Sequence, residues 1–315
     1  MRNTLKIRAA KLAWSQYRKV GLYFSFILMI LSGIYITFNG LNLGLEFTGG
    51  ITYQVLFSQP IELETMQSAV EQWFAINPQL TPDISRTQWQ FQFAVDAGVT
   101  QPQLQVWLSS LEAELGTNFT LLSSAFVGAQ VGEQLIEQGS LALLFATLAI
   151  LTYLAIRFEW RLAFGAVAAL VHDVVIVLAL FSVTGMEFNL ASLAAVLAVV
   201  GYSLNDSIVV ADRTREYLKR FPNQSVLHST DMAIRSSLFR TFVTSGTSLV
   251  TVSSIWIIAG GVLDGFAFAL FSGILVGTWS SLVIGTSIPE LLNLSPRHYK
   301  KQAAVLDEAG NPIHT

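Results

Sequence analysis

The sequence has 315 residues, of which 52% are hydrophobic and only 12% are charged, and its mean hydropathy is +0.54. Soluble domains carry about 25% charged residues, so this composition excludes a soluble globular protein and indicates a polytopic membrane protein. There is no cysteine, and the four histidines are scattered, so the sequence predicts no disulfide, metal site, cofactor or nucleic-acid partner.

A basic segment, residues 1–19, precedes the first apolar run at 20–38. At about 1.5 Å per residue this run is long enough to cross a hydrocarbon core of about 30 Å. A cleaved signal peptide is the alternative, but the run is too long for one and no A-x-A site follows it. We therefore predict a first transmembrane helix.

Residues 39–138 form a polar segment with ten acids and a single base, Arg86. Alternating apolar residues predict strands at 51–57 and 89–95, and a closing strand at 119–126. Helical spacing predicts helices at 63–74 and 104–115, and one more strand is expected near 83–87. This order predicts a small α+β domain of the ferredoxin-like kind.

Five further apolar runs follow, each long enough to span a membrane. They lie at 139–156, 162–183, 190–211, 241–263 and 265–288. We predict that 139–290 is a bundle of five transmembrane helices, with a charged helical connector at 212–240. The polar tail at 291–315 is expected to be disordered near its end.

The basic residues predict the orientation. Of the 18 lysines and arginines, all except Arg86 fall in segments that six spans place on one side of the membrane. The positive-inside rule makes that side cytoplasmic. Both termini are therefore expected inside, and the domain at 39–138 is expected in the periplasm.

Ionisable side chains inside the predicted spans are the main functional signal, because they are expensive in hydrocarbon and usually mark pathways. Asp206 is the expected carrier of a proton or cation, and Arg240 is expected to adjust its charge. The alternative is a static polar tie between helices. The predicted relay consists of Asp206, Arg240, Asn205, Asp173 and His172, with Tyr202, Ser203, Thr244 and Ser245 as supports.

Two other features of the sequence do not predict a phosphate-binding or catalytic site. The glycine-rich segment 44–50 has no preceding strand, so we interpret Glu46, Gly49 and Gly50 as a tight turn rather than a phosphate loop. Asp173 and Asp206 also correspond to the two acids of an intramembrane aspartyl protease, but the Gly-x-Gly-Asp motif of such proteases is absent.

Several motifs together resemble the SecF type of the SecD/SecF family of bacterial protein-export membrane proteins, over about residues 15–290. Glu46 stands where that family usually has aspartate. The matching segments are GLEFTGG at 44–50, VGAQVG at 127–132, IRFEWR at 156–161, HDV at 172–174, GYSLNDSIVV at 201–210, DRTRE at 212–216 and RTFVTS at 240–245.

The resemblance implies a non-enzymatic subunit of the inner membrane that uses a proton or sodium gradient to promote export. It implies SecD as the heterodimer partner, the SecYEG channel and SecA as neighbours, YajC and YidC as further candidates, and unfolded preprotein as substrate. Residues matching Asp206 and Arg240 are required in that family, which belongs to the resistance-nodulation-division superfamily. The alternatives are half of a lipid or small-molecule exporter of that superfamily, and a purely structural tether.

Overall fold

The computed structural model describes residues 2–73, 78–83, 85–94, 101–259 and 263–299. The predictions that involve Phe74, Val95 and the tail beyond residue 299 lie outside these residues. The helices are α1 (Arg2–Asn39), α2 (Leu45–Thr48), α3 (Leu63–Trp73), α4 (Gln101–Leu115), α5 (Ala129–Arg157), α6 (Trp160–Thr184), α7 (Leu190–Arg220), α8 (Val226–Ala259) and α9 (Asp264–Leu291), followed by a 3-10 turn at Pro296–Tyr299.

Within the described residues, six helices are long and apolar enough to cross a membrane, which agrees with the six predicted spans. Several are longer than the apolar runs that predicted them. The charged segment at 212–240 is built from the end of α7 and the start of α8, joined by a short turn. The candidate spans are Ser15–Asn39, Val131–Arg157, Trp160–Thr184, Leu190–Arg220, Val226–Ile258 and Asp264–Leu291.

The segment between the first two spans folds into a four-stranded antiparallel sheet with two helices. Its strands are β1 (Gly50–Phe57), β2 (Gln79–Pro82), β3 (Gln88–Ala94) and β4 (Phe119–Val127), in the spatial order β2-β3-β1-β4. The chain order β-α-β-β-α-β is that of a ferredoxin-like domain and confirms the predicted fold class.

The additional strand predicted near 83–87 is misplaced, because it lies at Gln79–Pro82 and the predicted segment forms the following turn. Asp83 accepts hydrogen bonds from the backbone N–H groups of Thr87 and Gln88, as an Asx-type turn residue does. Arg86 adopts a φ of 54° at this turn. This strand has only four residues and ends at Pro82, so its pattern of alternating polar and apolar residues is too short to be recognised in the sequence.

Aromatic residues on one face of β3 form the core of this outer domain. Trp89, Phe91 and Phe93 are fully buried, and the ring of Phe91 meets the ring of Trp107 on α4 edge to face, with centroids 5.2 Å apart. Alternation along β3 directs these rings towards α3 and α4. The outer domain therefore has its own apolar core.

The membrane bundle is centred on α6, α7 and α9, in each of which about half of the spanning residues are buried, against 6% to 17% in the other spans. Small residues permit this packing. A Cβ added at Gly273 of α9 would lie 2.3 Å from Val199 Cγ2 of α7, and one added at Gly277 would lie 3.2 Å from Ser203 Cβ. The Gly-x-x-x-Gly spacing on α9 thus allows its close contact with α7.

The hydroxyl-rich helix α8 buries only some of its hydroxyl groups within this chain. Thr241 and Ser245 are buried, but Thr247, Thr251 and Ser254 are exposed within this chain. The exposed hydroxyls donate hydrogen bonds to carbonyls of their own helix one turn earlier. This satisfies the hydroxyls locally, so α8 tolerates a polar face that no other helix covers within the described part of the chain.

Replacing Gly273 with alanine should destabilise the bundle, because the new methyl group overlaps the branched side chain of Val199. Overpacking of this kind costs about 1–3 kcal/mol. Gly33→Ala on α1 is the matched control, since nothing lies within 4 Å of its added Cβ and both variants gain the same helix propensity. Thermal unfolding of the purified proteins in detergent tests this, and equal melting temperatures would contradict the close α7–α9 contact.

Candidate functional site

The polar residues of the bundle converge where α6, α7 and α9 meet. Asp173 lies on α6, Ser203 on α7 and Ser280 on α9, and all three are buried. The glycine at position 277 allows this, because a Cβ there would lie 3.4 Å from both Asp173 Oδ2 and Ser203 Oγ. Three helices are therefore joined by side chains through one small-residue contact.

Asp173 is fully provided with hydrogen-bond donors. Its Oδ2 accepts from Ser203 Oγ at 2.5 Å and from Ser280 Oγ at 2.8 Å. Its Oδ1 lies 3.0 Å from Nδ1 of the adjacent His172. A buried carboxylate with three such partners is a fixed interhelical connection, since each partner is itself held by a different part of the bundle.

Asp206 has the opposite environment. Only 4% of the residue is exposed, yet its buried Oδ2 accepts no hydrogen bond from any described residue. The hydroxyls of Ser207 on the same helix and of Tyr202 one turn earlier are also buried without a partner. Burial of an ion costs several kcal/mol unless it is paired, so charge on Asp206 requires water, a bound ion or a nearby cation.

Arg240 is the cation that acts on Asp206. It lies on α8, is exposed, and is close enough to interact electrostatically with Asp206, but no ion pair joins these two residues in the described structure. A charge at this separation influences an aspartate without fixing its geometry. The charge of Arg240 therefore acts on Asp206 without a fixed ion pair between the two described side chains.

The other predicted site residues divide between the two aspartates. Ser203, expected to support Asp206, instead binds Asp173. Asn205 is exposed although it precedes Asp206, and Tyr202 packs against the apolar cluster that contains Val252. Thr244 donates only to carbonyls of its own helix. Ser245, by contrast, shares a 2.8 Å hydrogen bond with Thr278 of α9.

Sequence reasoning missed two parts of the polar network. Ser280 was not singled out, although it lies three residues after Gly277 and therefore on the same side of α9. At the opposite end of the bundle from the outer domain, Arg18 was treated only as an orienting charge. It is buried and donates to Asp231 at 3.1 Å and to Glu290 at 2.9 Å, which ties α1 to α8 and α9.

The glycine-rich segment after α1 forms the joint between the membrane bundle and the outer domain. Residues 45–48 form the single helical turn α2, and Gly49 (φ 73°) and Gly50 (φ 150°) lead into β1. A Cβ at Gly50 would lie 2.2 Å from the carbonyl oxygen of Phe93, so only glycine fits there. The predicted turn thus places the outer domain directly against the bundle.

No group of three or more histidines, aspartates and glutamates suited to a metal ion occurs among the described residues. The site is therefore a set of single ionisable groups at different depths of the bundle.

The chain is similar to known membrane proteins of protein export. Residues 108–294 match the family described as protein export membrane protein SecD/SecF, C-terminal, and residues 34–61 match the SecD/SecF GG motif. The chain is 35% identical to the protein translocase subunit SecF of Rickettsia prowazekii over 91% of this chain and 92% of that protein. It is also 35% identical to the one of Vibrio alginolyticus, over 94% and 96%.

The fold resembles two solved structures of the membrane protein SecDF. The crystal structure of SecDF from Thermus thermophilus, described as translocon-associated, aligns with a TM-score of 0.77 at 30% identity over 88% of this chain. A second structure, in the super-membrane-facing form, aligns with a TM-score of 0.67 at 31% identity. This chain spans 38% of the length of each SecDF chain.

The different environments of the two aspartates predict different effects of neutralising them. Asp173→Asn should lower the stability of the bundle by about 1–3 kcal/mol, because the amide cannot accept from both serines and the histidine as the carboxylate does. Asp206→Asn should leave stability unchanged or higher, since it breaks no hydrogen bond. Thermal unfolding in detergent compares the two variants, and a larger loss for Asp206→Asn would contradict these roles.

Proposed function

The chain belongs to the SecD/SecF family of protein-export membrane proteins, and we propose that it is an accessory subunit of the bacterial Sec machinery that uses a proton or sodium gradient to promote preprotein translocation. Family membership confirms the predictions of a multi-pass, non-enzymatic protein of the translocation apparatus.

One observation carries the ion-coupling proposal: Oδ2 of the buried Asp206 has no hydrogen-bond partner among the described residues, whereas Asp173 is bonded on both oxygens. A group that binds and releases an ion must exchange its partners, and Asp206 has none to lose. We assign ion binding to Asp206, modulation of its charge to Arg240, and a fixed connection to Asp173 with His172.

Two polar surfaces within the spans support SecD as the partner. Asn205 on α7 is exposed beside the buried Asp206, and the hydroxyls of Thr247, Thr251 and Ser254 are exposed on α8. Such groups avoid hydrocarbon and favour another helix or water. This chain spans 38% of the length of the SecDF chains. We infer that a SecD subunit supplies the helices that cover these polar surfaces.

The arrangement of the chain ends supports the proposed topology. Gln92 of the outer domain contacts Glu187 between α6 and α7, so both belong to one end of the bundle. Arg18, Asp231 and Glu290 meet at the other end, where the basic residues concentrate. The positive-inside rule then places both termini in the cytoplasm and residues 39–138 in the periplasm.

The remaining partners follow from the family: the SecYEG channel, YajC and YidC as further neighbours, and an unfolded preprotein at the periplasmic domain. The competing function, half of a lipid or small-molecule exporter, is less well supported, because the relatives that match over nearly the whole chain are named as translocase subunits.

Export of a secreted reporter tests Asp206. Asp206→Asn should reduce export to the level of a deletion strain, because an amide cannot take up or release a proton, while Asp206→Glu should retain part of the activity. Asp212→Asn is the matched control, since Asp212 lies on the same helix but is half exposed in a surface pair with Arg157.

Membrane abundance of each variant is measured alongside, so that loss of export is not confused with loss of protein. Normal export by Asp206→Asn at normal abundance would refute the relay and leave Asp206 as a structural residue. Copurification of SecD and SecYEG with the wild-type chain distinguishes the translocase from an independent exporter.

The absence of cysteine from the sequence makes the topology directly measurable. Single cysteines introduced as Ser123→Cys on β4 and Asn223→Cys between α7 and α8 are both at exposed positions. A membrane-impermeant maleimide should label Ser123→Cys in intact spheroplasts and Asn223→Cys only after lysis. The reverse pattern would overturn the proposed orientation.

A further inference from the structure

A second pair of acids lies outside the membrane spans, at the joint between the outer domain and the bundle. Glu187 lies in the short loop between α6 and α7, and Glu46 lies in the single turn α2. The loop and the segment before α2 are held together by backbone hydrogen bonds, from Gly44 N to Phe188 O at 2.9 Å and from Phe188 N to Asn42 O at 2.7 Å. The two glutamates therefore belong to one compact structure.

Glu187 connects this joint to the sheet of the outer domain. Nε2 of Gln92, a buried residue of β3, donates to both carboxylate oxygens of Glu187, at 3.1 and 3.0 Å. Gln92 points away from the domain core formed by its neighbours Phe91 and Phe93, because side chains alternate along a strand. The side-chain amide of Gln92 thus links β3 to the α6–α7 loop.

Glu46 approaches the same carboxylate. A Cβ added at Gly44 would lie 2.7 Å from both Glu187 Oε1 and Glu46 Oε2, so these two oxygens are separated by no more than twice that distance. Oε2 of Glu46 is itself buried and accepts no hydrogen bond from the described residues. Two negative charges at or within this separation repel each other, and a single proton held by the pair relieves that repulsion.

Among the described residues, the elements around the two glutamates supply no compensating positive charge. The carbonyl oxygen of Phe47 touches Gly132 of α5, where the adjacent ionisable residue is Glu133, and the carbonyl of Glu187 approaches Gly265 of α9, next to Asp264. On the sheet side the facing group is the neutral amide of Gln92, and from α7 it is the hydroxyl of Ser192. Every ionisable group among these neighbours is an acid.

We propose that Glu46 and Glu187 form a proton-binding pair at the periplasmic joint, and that the proton they share holds the outer domain against the bundle. Loss of that proton places two negative charges beside each other and weakens the joint, which allows the domain to move. This site is separate from Asp206 and is exposed to a different compartment, so it responds to periplasmic pH rather than to ion passage through the bundle.

The electrostatics of Glu187 agree with this. Burial raises the pKa of Glu187 above its ordinary value of 4.5, the hydrogen bond from Gln92 opposes the rise, and the charge of Glu46 adds to it. Because the closed joint holds the proton more tightly than the separated groups do, the joint is most stable at low pH. Its stability is lost as the pH rises through the raised pKa.

The test measures the distance between spin labels on the full-length chain in lipid nanodiscs. The labels are placed by Ser109→Cys on α4 and Ile258→Cys at the outer end of α8, both exposed positions in a protein without native cysteine. All samples carry Asp206→Asn, so that titration of Asp206 cannot produce the signal and failure of the relay hypothesis does not affect the result.

One narrow distance population is expected near pH 5, with a second appearing towards pH 8. Their ratio should change by up to about tenfold per pH unit, as release of a single proton requires. Glu187→Gln and Glu46→Gln, which keep the shape but cannot ionise, should keep the narrow population at every pH. Glu133→Gln, an exposed acid beside the joint, should titrate like the parent.

Three results would overturn the proposal. The first is a parent distribution that does not change between about pH 5 and about pH 8. The second is a Glu187→Gln protein that titrates like the parent. The third is a broad distribution at every pH in both glutamine variants, which would make the two carboxylates charged anchors rather than a proton site.

Discussion

An ionisable side chain in a low-dielectric bundle must be surrounded by donors, paired or hydrated, and this requirement explains the arrangement of the spans. Asp173 meets it with two serine hydroxyls and a histidine from within the chain. Asp206 does not meet it, because its buried Oδ2 accepts no hydrogen bond from any described residue. An aspartate is therefore held by donors on α6 and lacks one on α7, and the proposed ion binding at Asp206 rests on this difference in neighbours.

Small residues produce that difference, because hydroxyl donors reach a carboxylate only where backbones approach closely. Gly277 allows α9 to approach Asp173 and Ser203 closely. At Gly165 of α6, an added Cβ would lie only 2.7 Å from Cδ of Pro289 on α9. Around Asp206 no such contact delivers a donor. Packing thus determines which carboxylate is fixed, and the close α6–α7–α9 core gives the exposed faces of α7 and α8 a rigid support.

Much of this architecture follows from local sequence patterns, and the remainder depends on contacts between distant residues. Apolar run length predicts all six spans, and alternation in the outer domain predicts three of its four strands, but β2 is too short to show a pattern. Asp206 is recognisable as an acid in a span. Two contacts are not recognisable in this way: Ser280 binds Asp173, and Gln92 binds Glu187. Each joins residues about a hundred positions apart, and no local periodicity encodes such a pair.

The α6–α7 loop connects the outer domain mechanically to both aspartates. Residues 185–189 are its entire length, α6 carries Asp173 upstream, and α7 carries Asp206 downstream. Asn189 caps α7 by accepting a hydrogen bond from Ser192 N, so the loop continues rigidly into that helix. A movement of β3 that displaces Glu187 is therefore transmitted through this loop to α6 and α7 together, because Ser203 of α7 binds Asp173 of α6. The outer domain is thus coupled through Glu187 to the helices that carry both aspartates.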